Sequence, residues 1–289
     1  MKEDIHKEVS SILADYDPAA PEETARRLRQ FWLGFEPKST AGIKAEQRAQ
    51  QETAGTPVPV LRDIGLEIGQ PARKRVADFI PLCRLLWEAY GREGRVVSVH
   101  TLGKMELAEP ERIVPLLLEL CPSCLTWEDA DQLAMRALEP IVRKDPETWL
   151  PALEPWLADE KKWVRRAGIT VAGRLPMKHP AYTGRCLEMA EQLLSDEETD
   201  VKRAVSFAIR LSARGSVDQT RDFLARQVPP GDPAATWVLC DAIRSMTKSM
   251  LPELASLLPL YEGWAADPAL SAKDRRSVES AVKILQNAL

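Results

Sequence analysis

The chain has 289 residues, 45% of them apolar, with 39 lysines and arginines against 43 aspartates and glutamates and a net charge of −4. That length and apolar content exclude a disordered or fibrous chain and allow one large folded body or two ordinary ones. Five cysteines, an odd number, exclude a simple disulfide framework, and no apolar run approaches the roughly 18 residues of a membrane span.

The opening Met1-Lys2-Glu3-Asp4 is too acidic for a secretory signal, so a soluble, cytoplasmic protein is expected. Apolar residues recur at helical spacing, while valine-, isoleucine- and threonine-rich runs between hairpin turns are missing, and the fold is expected to be all-α. The periodicity predicts a helix around Glu22 to Gly34. It is followed by Glu36 to Thr56, a polar stretch without a period that reads as a loop or mobile insertion. Residues 1–70 are therefore read as N-terminal helices carrying an insertion at about 36–56, continuous with helical repeats over 71–289.

Breaks at Gly69-Gln70-Pro71, Glu109-Pro110, Lys144-Asp145-Pro146, Lys178-His179-Pro180, Arg214-Gly215-Ser216 and Met250-Leu251-Pro252 fall roughly 30 to 40 residues apart. Proline lacks an amide hydrogen and restrains its predecessor, so such points end helices. Each interval fits two antiparallel helices, which bury their apolar faces only by stacking on neighbours. The expected architecture is an α-solenoid of HEAT-like repeats coiled into a curved superhelix.

Cys121 and Cys124 form one CxxC, but a zinc site needs a second pair or suitably spaced histidines, and His6, His100 and His179 do not supply them. No metal and no other cofactor is expected. His100 and His179 read as packing or cap residues. Thr126 reads as an N-cap, which leaves Glu128 and Asp129 explained by the helix dipole. Asp131 lies one turn beyond Trp127 and shares a face with Ala134, Met135 and Leu138. A carboxylate in such company takes an ion-pair partner from the adjacent repeat or has a chemical task.

Between Thr148 and Leu175, Trp149, Leu150, Leu153, Trp156 and Leu157 make one stripe and Val164, Ala167, Gly168, Val171, Ala172 and Leu175 the next, with Asp159 as the cap between them. Arg166 and Thr170 fall opposite the second stripe, which directs Arg166 to the surface, and Trp163 lies at its margin. Arg203, Phe207, Arg210 and Arg214 cluster within about 60° on a wheel, away from Val201, Ala204, Val205, Ala208 and Leu211. Phe207 either packs on an adjacent repeat or offers a stacking face beside phosphate-binding charge. From Lys161 to Arg226 there are 13 basic and 8 acidic residues, an electropositive segment on an acidic chain. Trp32, Trp87, Trp149, Trp156, Trp237 and Trp264 read as packing residues, while Lys248, Lys273, Arg275 and Arg276 offer an extension of the groove that is kept outside the candidate set.

Trp127 and Trp163 are 36 residues apart and Trp163 and Phe207 are 44 apart, so the three are expected at matching positions of stacked units of about 40 to 47 residues. An aromatic, a carboxylate and several arginines then share one groove. Over roughly residues 55–227 the chain resembles the DNA alkylation repair family of AlkD-like alkylpurine DNA glycosylases. The likeness is carried by Gly55-Thr-Pro-Val-Pro-Val-Leu-Arg62-Asp-Ile, by Leu86-Trp87 followed by Arg92-Glu93, and by the three segments just described.

The resemblance implies that Trp127 and Asp131 match the Trp-x-x-x-Asp beside the lesion nucleotide and that Arg166 matches the arginine of Trp-x-x-Arg after Trp163. The family's second lesion-facing tryptophan falls at Phe207, a departure. It implies a protein that binds double-stranded DNA with alkylated bases and hydrolyses the N-glycosidic bond of cationic N3- or N7-alkylpurines from the sugar-phosphate side; a monomer is expected. Asp131, Trp127 and Phe207 are then catalytic, and Arg166, Arg203, Arg210 and Arg214 bind DNA, with no membrane and no metal involved. Two other readings stay open: a non-catalytic HEAT-repeat relative that binds DNA structure, and a HEAT scaffold for a protein partner.

Overall fold

The computed structural model describes residues 2–35, 52–229 and 231–288, and among these it is helical with no strand. The all-α expectation holds. The chain divides into two compact units, Met1–Ile141 and Val142–Leu289. The reading of the N-terminal part as ending at residue 70 places that point inside the first unit, within a helix.

The first unit contains α1 (Lys2–Leu13), α2 (Pro21–Leu33), α3 (Val58–Ala72), α4 (Val76–Ala89), α5 (Gly91–Met105), α6 (Pro110–Leu120) and α7 (Trp127–Leu133), which continues into a π-helical turn at Ala134–Leu138. One row stacks α1 on α3, α3 on α5 and α5 on α7 and its π turn, and a second stacks α2 on α4 and α4 on α6. Gly65 meets Val97 and His100 while Gly69 meets Lys104, so α3 and α5 run in the same direction and α4 returns the chain between them. Helix α8 (Glu139–Lys144) spans the division between the units.

The second unit contains α9 (Pro146–Trp149), α10 (Glu154–Leu157), α11 (Lys162–Arg174), α12 (Thr183–Glu191), α13 (Thr199–Ser212), α14 (Val217–Ala225), α15 (Pro233–Arg244), α16 (Leu251–Leu254), α17 (Leu258–Ala266) and α18 (Ala272–Gln286). Here α11, α13, α15 and α18 stack in one row and α12, α14 and α16 in another. Each unit is thus a stack of neighbouring helix pairs, the arrangement of an α-solenoid.

The repeat is shorter than the 40 to 47 residues expected. Side-chain hydrogen bonds join residues one unit apart at separations of 36 for Trp87 and Ser123, 34 for Arg95 and Asp129, 35 for Ser206 and Asp241 and 33 for Arg244 and Ser277. Tight connections explain it: Tyr90 alone lies between α4 and α5. Repeats of this length give each inner helix a neighbour on both sides, which leaves little room for free faces. Gly103 and Gly173 mark two of the close approaches between stacked helices. A Cβ on Gly103 would lie 2.8 Å from the Arg136 carbonyl in the π turn, and one on Gly173 would lie 2.4 Å from the Ala208 Cα.

Helix ends follow the punctuation in the sequence. Pro110, Pro146 and Pro233 open their helices, and Thr126, Ser216, Asp232 and Ser271 accept hydrogen bonds from first-turn amides. Pro81 and Pro115 depart from it, sitting inside α4 and α6. Both expected stripes between Thr148 and Leu175 are buried apart from the partly exposed Trp149. Asp159 does not cap α11: its Oδ1 accepts from the Lys161 amide at 2.7 Å, before the helix begins.

Of the polar stretch from 36 to 56, residues 36–51 lie outside the described residues. The remainder is tied down by the buried Glu93. Its Oε1 accepts from Thr53 Oγ1 at 2.8 Å, the Ala54 amide at 3.0 Å and the Gly55 amide at 2.9 Å.

Candidate functional site

In the first unit the candidate residues sit on α7. Thr126 caps it, as expected, through a reciprocal box in which the Asp129 amide donates to Thr126 Oγ1 and the Thr126 amide to Asp129 Oδ2. Trp127, the first helical residue, is 41% exposed, and Asp131 follows it by four residues, partly exposed on the same face. The two acids between them are held from α5. Arg92 forks onto Glu128 with nitrogen–oxygen distances of 3.2 and 2.9 Å, and Arg95 Nη1 donates to Asp129 Oδ2 at 2.7 Å.

Arg95 also stacks over Trp87, 4.7 Å from the ring centroid, and Trp87 Nε1 donates to Ser123 Oγ at 2.8 Å. Asp129 Oδ2 takes the amides of Leu125 and Thr126 as well. This frame sets the height and rotation of the first turn of α7 and hence of Trp127 and Asp131. Sequence reading missed it, although the separations of 36 and 34 residues between basic and acidic partners were the available signal. The π turn begins three residues after Asp131 and widens the helix there, a feature frequent at functional sites.

His100, on α5, is buried as expected of a packing residue. Burial, then the cations Arg136 and Arg62, push its pKa down to about 4 against the opposing pull of Asp63. Histidine in the unfolded chain titrates near 6.5, so the unfolded state takes up a proton between that pH and about 4 that the folded state refuses. Stability contributed by neutral His100 is therefore complete above about pH 7 and is lost as the pH falls through that window. Urea unfolding at pH 7 and pH 4.5 should show the wild type losing about 2 kcal/mol more than His100→Gln does. Equal losses would remove the assignment.

The second unit carries the other candidates. Arg166 departs from the surface placement expected of it: it is only 8% exposed, and its Nη1 donates to the Asp200 carbonyl. Thr170 is buried too. The reason is that α13 packs along the side of α11 that the wheel left open. Trp163 is partly exposed beneath Lys162, whose Nζ lies 4.6 Å from the ring centroid and pairs with Asp200 and Glu198.

On α13 the wheel reading holds. Arg203 and Arg214 are exposed and Phe207 and Arg210 partly so, with Val201, Ala204, Val205, Ala208 and Leu211 buried behind them. The Arg210 guanidinium lies 4.7 Å from the Phe207 ring centroid, a cation–π pair, and reaches the Ser245 carbonyl at 3.4 Å. Trp163 and Phe207 do not occupy matching positions. Trp163 is the second residue of α11, whereas Phe207 is the ninth of α13, and the residues of α11 next to Trp163 meet Asp200 instead.

Much of the basic excess of this segment is spent internally. Arg165 pairs with Asp196, Arg185 with Glu154 and Glu188, Arg221 with Asp218 and Asp222, and Arg226 with Glu191. Among the described residues, Lys202, Arg203, Arg210 and Arg214 form no ion pair within 4.0 Å. The electropositive character is thereby concentrated on one side of α13. Trp237, read as packing, is partly exposed.

All five cysteines are buried thiols, and burial raises that of Cys124 well above its ordinary value. Among the described residues no group of three or more His, Cys, Asp or Glu side chains is placed to hold a metal ion, and no helix is long and apolar enough to cross a membrane. A family model described as DNA alkylation repair enzyme matches residues 28–258, most of the chain. A comparison with curated proteins gives no match.

Proposed function

The chain belongs to the DNA alkylation repair enzyme family, and from that premise we propose that it is an AlkD-like glycosylase that releases cationic N3- and N7-alkylpurines from duplex DNA. The observation that carries this reading is the pairing on α7 of an exposed indole, Trp127, with a partly exposed carboxylate, Asp131, on a turn anchored by Arg92 and Arg95.

The chemistry asks little of an acid. In an N7-alkylguanine the C1′–N9 bond breaks with both electrons passing to the positively charged purine, which leaves neutral. C1′ and the ring oxygen of the sugar then share a positive charge, which the Asp131 carboxylate stabilises by Coulomb attraction. Water adds at C1′ and loses a proton to Asp131 or to solvent, leaving an abasic site. Trp127 offers a π-face to the positively polarised C–H groups of the sugar. Arg203 on α13 and Arg214 just beyond its end meet backbone phosphates; Phe207, its ring carrying Arg210, belongs to the same phosphate-binding surface. Arg166, buried against the Asp200 carbonyl, acts on strand binding only indirectly, by fixing α11 beside α13.

The assay is release of free base from duplex DNA containing N7-methylguanine, quantified with purified protein in excess, with duplex binding measured in parallel. Release above the spontaneous rate is expected. One observation favours a second reading, a non-catalytic DNA-binding relative: a guanidinium already occupies a face of Phe207, where a cationic base would be repelled. Tight, salt-sensitive binding without release would select it, and neither activity would leave a scaffold for a protein partner.

A further inference from the structure

The second unit holds a groove that borders one candidate residue, Arg203, and extends beyond the candidate set. It has a volume of about 510 Å³ and is lined by Thr199, Lys202 and Arg203 of α13, Trp237 of α15, and Lys273 and Ser277 of α18, among others. The volume falls within the range of about 300 to 1,000 Å³ typical of clefts for small ligands. Lys202, Arg203 and Lys273 make no ion pair among the described residues, and Trp237 shows part of its indole to the groove.

Three cations without an ion pair within 4.0 Å, gathered around a partly exposed indole, form an unfavourable surface, since like charges repel and the indole face is left in water. A ligand carrying both anionic charge and a flat π-surface relieves both. The acids nearby offset this charge only in part: Lys202 acts on Asp232 through space, without an ion pair. Asp274 is buried and takes the Ser271 hydroxyl at 2.6 Å, and Asp232 is engaged by the Ala234 and Ala235 amides and by Ser195. The helix ends are not the binding element either, because Asp232 and Ser271 already cap α15 and α18.

We propose that this groove is a further DNA-strand site adjoining the duplex-facing side of α13, in which Lys202 and Lys273, beside Arg203, hold a phosphodiester and an unpaired base stacks on Trp237. Its occupant is identified as DNA on the strength of the repair reading above, and the chemistry is that of single-strand binding, where charge tracks the backbone and an aromatic face accepts any base. Such a site suits a protein that meets duplexes already opened by damage or by an adjacent strand break.

The test uses the full chain and a fluorescein-labelled oligothymidylate, followed by anisotropy at fixed salt. Lys202→Glu with Lys273→Glu should weaken binding about tenfold and flatten the salt dependence, and Trp237→Ala should weaken it about fivefold or more. Lys273 is itself exposed in the first turn of α18, and Lys273→Glu alone should still lose about threefold, so a folding defect in the double variant does not blunt the test. Affinity within about twofold of wild type in Lys273→Glu, or in Trp237→Ala, overturns the proposal. Base release by the wild type is measured alongside. No release with full dependence on these residues removes the excision reading and keeps the groove. Release without that dependence does the reverse.

Discussion

Replacing Asp131 by asparagine is expected to lower the single-turnover rate of N7-methylguanine release by about a hundredfold or more. The substitution keeps the shape of the side chain and removes only its charge. A preorganised charge beside the developing sugar cation acts where water is partly displaced, and its loss is felt in the transition state far more than in the ground state. Affinity for undamaged duplex should stay within about twofold of wild type or tighten, because a negative charge near phosphates has been removed. Trp127 and the anchored first turn of α7 remain in place in this variant. A rate within about threefold of wild type would mean that Asp131 does not face the reacting sugar, and the assignment of chemistry to α7 would be abandoned.

Replacing Arg95 by alanine is expected to destabilise the protein by about 3 kcal/mol, read from urea unfolding. Arg95 and Asp129 are both largely buried and 2.7 Å apart, so removing the arginine strands a carboxylate away from water, a change that typically costs about 3 to 5 kcal/mol. The lower end applies because the Leu125 and Thr126 amides continue to hold Asp129. The cation–π contact with Trp87 is lost at the same time. A double-mutant cycle with Asp129→Asn isolates the pair from the packing loss, and the asparagine should recover part of the deficit by removing the unpaired charge. A loss below about 1 kcal/mol would show that the first turn of α7 does not depend on this frame. If Arg95 positions the site as well as stabilising it, base release in the variant should fall through the rate at saturating enzyme, not through DNA affinity.

Particular residues show where sequence reading succeeds. The cap at Thr126, the exposed side of α13 with Arg203, Phe207, Arg210 and Arg214, and the buried stripes on either side of Asp159 follow from rules that act within a few residues. Such rules concern one helix and its own backbone. Arg166 shows where they stop. The wheel placed it opposite the apolar stripe, which is correct for an isolated helix, yet α13 covers that side and the guanidinium is buried against Asp200. A helix in the inner row of a stack has two flanks occupied by neighbours, so a polar residue there is met by protein and not by water. Trp237 errs the other way: it stays partly exposed at the groove although α15 has a neighbour on either flank.

By itself the sequence determined that this chain is helical, repetitive and a member of a DNA alkylation repair lineage, because helical period, proline punctuation and short local motifs are written residue by residue. The tertiary structure alone decided the length of the repeat, the burial of Arg166, the frame that Arg92 and Arg95 build around α7, and the open groove at Trp237. These depend on how far one helix slides along the next, which small residues such as Gly103 and Gly173 permit and which no single helix can encode.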